Sequence, residues 1–346
     1  MRDRAFLAFV APSLLLMALF IALPIGSIMV QSLHVEHPRV LVEVETCSPF
    51  GGCTTDLRVD TAATEALREA EPLGRFAGLE TYLNRNHLAA QEVAAILSDN
   101  EGPADVASRL YDLPFYKALA FTVAYTALVS PLAIVAGFAV ALGVTAVTRR
   151  LRGPVIFMSL LPYIVTPLIG ALIVYWMTGA DGILGASLQV LVGDPDLHLR
   201  ASPVLTWITL MVYGVWHMTP FAFVVFYAGL QTVPADTLES AMIDGANRWQ
   251  QIRYVVIPHI APLATFVGLI LLMDNFRVLE PIVSFQAEAH ATSLSWAIYN
   301  DLYGQADQLF ASAAATSVLT TIGVAILLAP SLLRTWRDFA RRSARG

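Results

Sequence analysis

Six stretches of this chain run without Asp, Glu, Lys or Arg for long enough to cross a bilayer. They are Ala5–Leu33, Ala118–Thr148, Gly153–Ala180, Ala201–Ala235, Tyr254–Met273 and Gln308–Leu333. A spanning helix takes about 20 apolar residues, so the pattern predicts an all-α polytopic membrane protein with six transmembrane helices. The fourth run carries His217 and is longer than a span requires. Pro24, Pro131, Pro162, Pro167, Pro220 and Pro262 fall inside the runs. Prolines are tolerated in membrane helices where neighbours satisfy the freed backbone groups. The first run exceeds the roughly 7–15 residues of a signal-peptide core, which predicts a retained helix.

Between the fourth and fifth runs lies a polar segment, 230–259, far longer than a simple crossing needs. Its pattern predicts a helix-turn-helix over 239–258. Pro234 suits a first helical turn, and Asp236 suits the positive end of a helix. Leu238, Ala241, Met242, Trp249, Ile252 and Val256 recur at helical spacing as one apolar face. Asp244-Gly245 interrupts the run, and glycine permits a tight or left-handed turn. Pro258 is expected to end the second helix. The polar side carries Glu239, Asp244, Arg248 and Arg253. An amphipathic helix lying on lipid is the competing interpretation, but such helices concentrate Lys and Arg on the polar face. The balanced face and central Gly turn fit protein docking better.

Composition sharpens this picture. The chain has 346 residues, 56% hydrophobic and 14% charged, against about 25% charged in soluble domains. Lys117 is its single lysine and stands in Phe-Tyr-Lys-Ala, so there is no Gly-Lys-Ser/Thr phosphate loop. Arginines near span ends set orientation. Arg2 and Arg4, the set Arg149, Arg150 and Arg152, then Arg248 and Arg253, and finally Arg334 to Arg345 all fall on one side of a six-span arrangement. That side is the cytoplasm, with both termini and the 239–258 loop.

The same topology places His34–Asp112 outside. This segment holds 14 acidic residues and 6 arginines, and Ala62–Glu71 and Leu88–Leu97 read as short amphipathic helices. Cys47 and Cys53 flank a turn containing Pro49, Gly51 and Gly52. An exported compartment favours a disulfide between them; free thiols are the alternative. Two cysteines are too few for a structural zinc site, and the seven histidines show no metal-ligand spacing. The expected organisation is a membrane helix at 1–33, an outside cap at 34–112, a five-helix core at 113–335 carrying the loop 230–259, and a tail at 336–346.

The residues Glu239-x-Ala241-x-x-Asp244-Gly245-Ala246, followed eleven residues on by Ile257-Pro258, resemble the EAA motif of permeases in binding-protein-dependent ABC importers. Ser240 stands where the second alanine is usual. Trp216-His-Met-Thr-Pro220-Phe221, Ala228-Gly229-Leu230-Gln231-x-x-Pro234 and Leu161-Pro162 with Pro167 and Trp176 resemble the carbohydrate-uptake, maltose-type branch, and the likeness runs from about Gly78 to Leu333. Val283-Ser-Phe-Gln-Ala-Glu-Ala-His-Ala departs from the Thr-x-Gly-Gly-Pro common after the fifth helix. The resemblance implies a non-enzymatic type I permease subunit of the bacterial inner membrane. It binds no cofactor itself, because a pair of separate ATPase subunits uses ATP and Mg. A second permease subunit, in a heterodimer, and an extracytoplasmic solute-binding protein complete the assembly; nucleic acid has no part. Glu239, Ala241, Asp244, Gly245, Ala246, Ile257 and Pro258 would dock the ATPase.

For the solute, Asp274 and Asn275 end the fifth run, followed by Arg277 and Glu280. Ionisable residues in membrane helices usually face the interior, and Asp274-Asn275-Phe276 matches in position a polar-Asn-Phe element of sugar permeases. Tyr213 and Trp216 are the aromatic candidates for a sugar ring. The alternative places Asp274–Glu280 at the outer interface and Trp216 in lipid packing. A sugar or polyol is the expected solute, with glycerol phosphate or another compatible solute as the alternative. An ion-driven carrier is the competing class. Carriers show internal repeats with paired broken helices, and no repeat is visible here. No Ser-His-Asp set, His-Glu-x-x-His or acidic metal cluster in the spans suggests an enzyme.

Overall fold

The computed structural model describes residues 2–48, 51–99, 102–304 and 309–343. Pro49, Arg345 and the start of the sixth run at Gln308 lie outside the described residues. The chain divides into two compact units, 1–116 with 297–323, and 117–296 with 324–346.

In the first unit, α1 (Arg2–Met17), a π-helical turn (Ala18–Ala22) and α2 (Leu23–Gln31) form the first apolar helix. Residues 34–112 then add strands that the helical reading did not foresee. β1 (His34–Val35) pairs antiparallel with β4 (Arg75–Phe76), and β2 (Leu41–Ser48) pairs with β3 (Gly51–Val59). Val40–Val44 and Leu57–Val59 carry the β-branched and leucine content that favours strands, a signal obscured by the charged residues between them. Helices α3 (Thr61–Ala70), α4 (Glu80–Leu83) and α5 (Ala90–Ser98) follow, with α6 (Pro103–Tyr111) unforeseen. The Asp60 carboxylate accepts the Ala63 N–H at 3.0 Å and starts α3. Ala89, Ile96 and Leu113 form a small core here, packed by Val93, Val106, Leu110 and Tyr116.

The second membrane helix is α7 (Pro114–Ala146). The third run is two helices, α8 (Arg149–Ile164) and α9 (Pro167–Met177), bent by 93°. After a short apolar helix, α10 (Ile183–Val192), comes α11 (Pro203–Leu230). The polar segment holds α12 (Ala235–Ile243) and α13 (Arg248–Gln251). A π-turn (Ile252–Val256) joins α13 directly to α14 (Ile257–Phe276), so Pro258 does not end a helix as expected. Short helices α15 (Glu280–Ser284) and α16 (Leu294–Tyr299) precede α17 (Phe310–Ser343). Among the described residues five helices are long and apolar enough to span, and the bent pair makes a sixth.

Two of the three π-turns among the described residues explain two tolerated prolines. Ile257 N–H bonds to Ile252 O, and Leu23 N–H bonds to Ala18 O. Each turn ends two residues before a proline, Pro258 or Pro24. Proline lacks an N–H and crowds the carbonyl four residues back. The wider turn moves that carbonyl aside, and the helix continues.

Two clusters pack the second unit. Phe121, Tyr125, Val129, Leu210, Ile282 and Phe285 form one; Val144, Phe223, Phe226, Ile260, Val267 and Leu271 form the other. Leu128, Leu132 and Val135 on α7 stay exposed. Apolar surface facing lipid carries no penalty, so packing contact and hydrogen bonds decide which faces meet.

Candidate functional site

The segment after α11 is built by two capping motifs. Pro234 is the residue before the helix rather than in its first turn (φ −62°, ψ 129°). Helix α12 then stops at Asp244. Gly245 takes φ +80°, its N–H donates to Met242 O at 3.0 Å, and the Ala246 N–H donates to Ala241 O at 2.9 Å. This pair of bonds is a Schellman stop, which requires a left-handed residue at the glycine position. Asn247 starts α13 with a capping box. The Gln250 N–H donates to Asn247 Oδ1 at 2.9 Å and the Asn247 N–H donates to Gln250 Oε1 at 2.8 Å. Asn247-x-x-Gln250 is the sequence signature of such a box. The helix-stop and helix-start are three residues apart, which fixes the angle of the elbow.

The elbow also divides the apolar residues. Leu238, Met242, Ile252 and Val256 line a cleft of about 430 Å³ with Leu142 and Leu230. Trp249, expected on that same face, is instead 67% exposed, beside Ile243 at 86% and Tyr254 at 69%. The stop at Gly245 turns α13 relative to α12, so one helical period cannot run through both. Glu239, Asp244, Ile257 and Pro258 are exposed, and Ala241 and Ala246 are half-buried at the turn. The result is a polar, aromatic-studded elbow whose backbone is capped on both sides of the turn.

The break in the third span is the second notable place. Pro167 forces the preceding residue out of the helical region. Val165 (φ −74°, ψ 126°) and Thr166 (φ −60°, ψ 146°) are extended. The end of α8 frees carbonyls that need donors. Among them the Pro162 carbonyl accepts from His217 Nδ1 at 2.8 Å, while the Pro167 carbonyl, at the first position of α9, accepts from the Tyr213 hydroxyl at 2.8 Å. Tyr213 and His217 are one turn apart on α11, and their rings stack at 5.8 Å. Tyr163 stacks on His217 at 6.0 Å and lies 6.3 Å from Phe221. Both donors are buried, 4% and 5% exposed. Gly170 makes this possible, because a Cβ there would lie 2.5 Å from the Tyr213 hydroxyl.

Sequence reasoning assigned Tyr213 to the solute; its hydroxyl is committed to the backbone of the break. His217 has no role in the sequence reading, although its place in the middle of an uncharged run is a signal. The Asn275 amide donates to Ser130 Oγ at 2.9 Å and the residue is 1% exposed. Asp274 Oδ1 lies 3.6 Å from Arg277. Trp216, 47% exposed, neighbours Tyr213 at 6.0 Å. Among the described contacts none joins this aromatic pair to Asn275 or Asp274.

Residues 129–336, which contain the elbow, the break and Asn275, match the model of the binding-protein-dependent transport system inner membrane component. The chain belongs to that family. This permease is 31% identical over 236 residues to the trehalose transport system permease protein SugA of Mycobacterium tuberculosis, across 68% of this chain and 73% of that one. It is 27% identical over 248 residues to the sn-glycerol-3-phosphate transport system permease protein UgpA of Agrobacterium fabrum, across 69% and 82%. A crystal structure of a bacterial ABC transporter that imports the acidic polysaccharide alginate shares the fold. Its TM-score is 0.59 at 18% identity, over 79% of this chain and 95% of that chain.

The segment 34–112 of the permease precedes the matched region. Cys53 is disulfide-bonded, and the strand register sets Cys47 opposite it; the chain has two cysteines. His87 is fully buried, with Nδ1 2.8 Å from Asn84 Oδ1 and Nε2 3.1 Å from Ser312 O. Burial pushes its pKa below the ordinary 6.5, against the raising effect of the Ser312 carbonyl and of Asp301. Asp301 accepts from Ser312 Oγ at 2.6 Å, yet burial holds its carboxyl above the ordinary range.

Proposed function

We propose that this chain is a permease subunit of an ATP-driven importer for a sugar or related polyol, coupled to separate ATPase subunits through the elbow at 235–258. The observation that carries this is the elbow itself. It is a doubly capped polar structure on a membrane protein, with Ile243, Trp249 and Tyr254 held out to solvent. A crossing between spans has no need of it. Glu239 is the residue to pair with a basic group of the ATPase. Gly245, Ala241 and Ala246 shape the turn, and the π-turn hands motion from α13 to Ile257-Pro258 at the start of α14.

The rest of the assembly follows from this reading. The arginine pattern puts both termini and the elbow in the cytoplasm. ATP and Mg act in the partner, a second permease completes the pathway, and an extracytoplasmic binding protein delivers the solute. Trehalose and glycerol-3-phosphate in the names of the relatives support a polyhydroxylated solute, the second as an alternative. Trp216, at 47% exposure, is the better placed ring for a sugar, and Asn275 reaches solute only where its bond to Ser130 opens. Among the described residues one span is broken, without the paired second break that ion-driven carriers use.

The experiment is uptake and ATP hydrolysis by the purified complex in proteoliposomes, with radiolabelled trehalose and glycerol phosphate as first probes. ATP-dependent uptake that requires the binding protein supports the proposal. Uptake driven by an ion gradient without ATP refutes it.

A further inference from the structure

The first unit holds a cavity that neither the elbow nor the spans explain. It measures about 290 Å³ and lies between the segment 34–112 and the start of α17, with every lining residue inside that unit. Ligand pockets run from about 300 to 1,000 Å³, so the space suits one sugar ring or a small polyol. Thr81 lines the cavity and is 5% exposed, and its hydroxyl has no hydrogen-bond partner among the described residues. A buried hydroxyl without a partner is destabilising, and native proteins keep few of them. Around Thr81, hydrogen-bonding capacity is left over in both senses. Glu36 gives one carboxylate oxygen to the Ala311 N–H, and its other oxygen makes no bond among the described residues. Asn84 Oδ1 accepts the Asn86 N–H at 3.1 Å and lies 2.8 Å from His87 Nδ1, which leaves the Asn84 amide N–H groups free to donate. The side-chain amide of Asn86 makes no bond among the described residues. Arg75 and Glu80 face each other at 3.4 Å with both side chains 67% exposed, a contact worth little in water. A phosphate only accepts, and here it meets two carboxylates. An ammonium group only donates, and here it meets Arg75. A hydroxyl does both, and this mixed lining answers to hydroxyls.

We infer that this cavity is a binding site for a neutral polyhydroxylated ligand the size of one hexose, held by Thr81, Asn84, Asn86 and the free oxygen of Glu36. None of these residues belongs to the second unit, which contains Trp216 and Asn275. The site therefore holds whether or not the permease reading does.

The test is hydrogen exchange on the full chain in lipid nanodiscs, titrated with glucose and, separately, with inorganic phosphate and with ethanolamine. At ten times the half-saturating glucose concentration, exchange by local opening is expected to slow about tenfold at 80–87 and 309–313. Protection confined to the second unit, or no protection by any probe, overturns the site. Protection of these segments by phosphate or ethanolamine but not by glucose overturns the ligand class. Thr81→Val keeps the shape of the side chain and removes the hydroxyl. Because that hydroxyl has no partner in the chain, the variant is expected to fold at least as well as the wild type and to raise the half-saturating glucose concentration about fivefold. Asn86→Ala, at an exposed position, is expected to weaken binding by a similar factor. A merely structural Thr81 shifts stability and leaves half-saturation unmoved. Half-saturation unaltered in both variants overturns the site. Failure of ATP-driven uptake counts against the permease proposal instead and leaves the glucose titration to decide the cavity.

Discussion

The elbow at 235–258 and the break at 165–166 are both interruptions of helix in one permease, and they are satisfied in opposite ways. The elbow caps itself. Gly245, Ala246, Asn247 and Gln250 close its backbone bonds locally, which frees Ile243, Trp249 and Tyr254 for something outside the chain. The break cannot cap itself, because Thr166 is extended and Pro167 has no N–H. It borrows Tyr213 and His217, and both are buried in the process. A self-sufficient interruption offers a surface to a partner, and a dependent one ties two helices together. Proline alone decides neither outcome, since Pro258 and Pro24 follow π-turns and leave their helices continuous.

The largest effect that sharpens this contrast is expected at Gly245. A Cβ there meets nothing within 4 Å, so space is not the constraint; the φ of +80° is. Gly245→Trp combines strain of about 1–2 kcal/mol with a bulky group on the docking face. It is expected to leave membrane insertion intact, by fractionation, and to abolish uptake. Gly170→Ala comes next. Its Cβ must displace the Tyr213 hydroxyl from the Pro167 carbonyl, at about 1–3 kcal/mol of overpacking cost. A clear loss of thermal stability in detergent is expected; stability within error of wild type would mean that the tyrosine is free to leave.

Smaller effects separate local from shared satisfaction. Asn247→Ala removes the cap of α13 and is expected to cost about 1 kcal/mol. The loss stays local, as faster hydrogen exchange at Gln250 with no change at Tyr213. Asn275→Ala and Ser130→Ala, taken as a double-mutant cycle, are expected to show a coupling of about 0.6 kcal/mol, the average for membrane helix pairs. No coupling would leave Asn275 free for solute at all times.

The smallest effect concerns the segment 34–112. His87 is a base whose folded pKa lies below 6.5. Below pH 6.5 the unfolded segment binds a proton that the folded one refuses, so stability falls as pH falls. Asp301 works with the opposite sign. Between 3.8 and its raised value the folded state holds the extra proton, so stability there falls as pH rises. Limited proteolysis of the segment 34–112 is expected to quicken from pH 7.5 to pH 5.5, and His87→Leu is expected to flatten that trend.

Much of the molecule was legible in the order of its residues. Uncharged runs gave the spans, and Asp244-Gly245-Ala246 gave the turn, because each rests on local chemistry. The break was not legible. Pro162 and Pro167 marked a disturbance, but its angle depends on donors about fifty residues away, and no local period records them. Pro258 misled for the related reason that a π-turn is a response to the proline rather than a pattern preceding it. The strands at 41–59 were hidden by alternating Glu43, Glu45, Asp56 and Arg58, which a solvated hairpin accepts.

The central claim is that the elbow transmits the work of a separate ATPase to these helices. The most direct measurement is binding-protein-stimulated ATP hydrolysis by the complex in proteoliposomes, wild type beside Gly245→Trp. The account predicts several-fold stimulation in the wild type and none in the variant at equal amounts of inserted permease. Equal stimulation in both would contradict it.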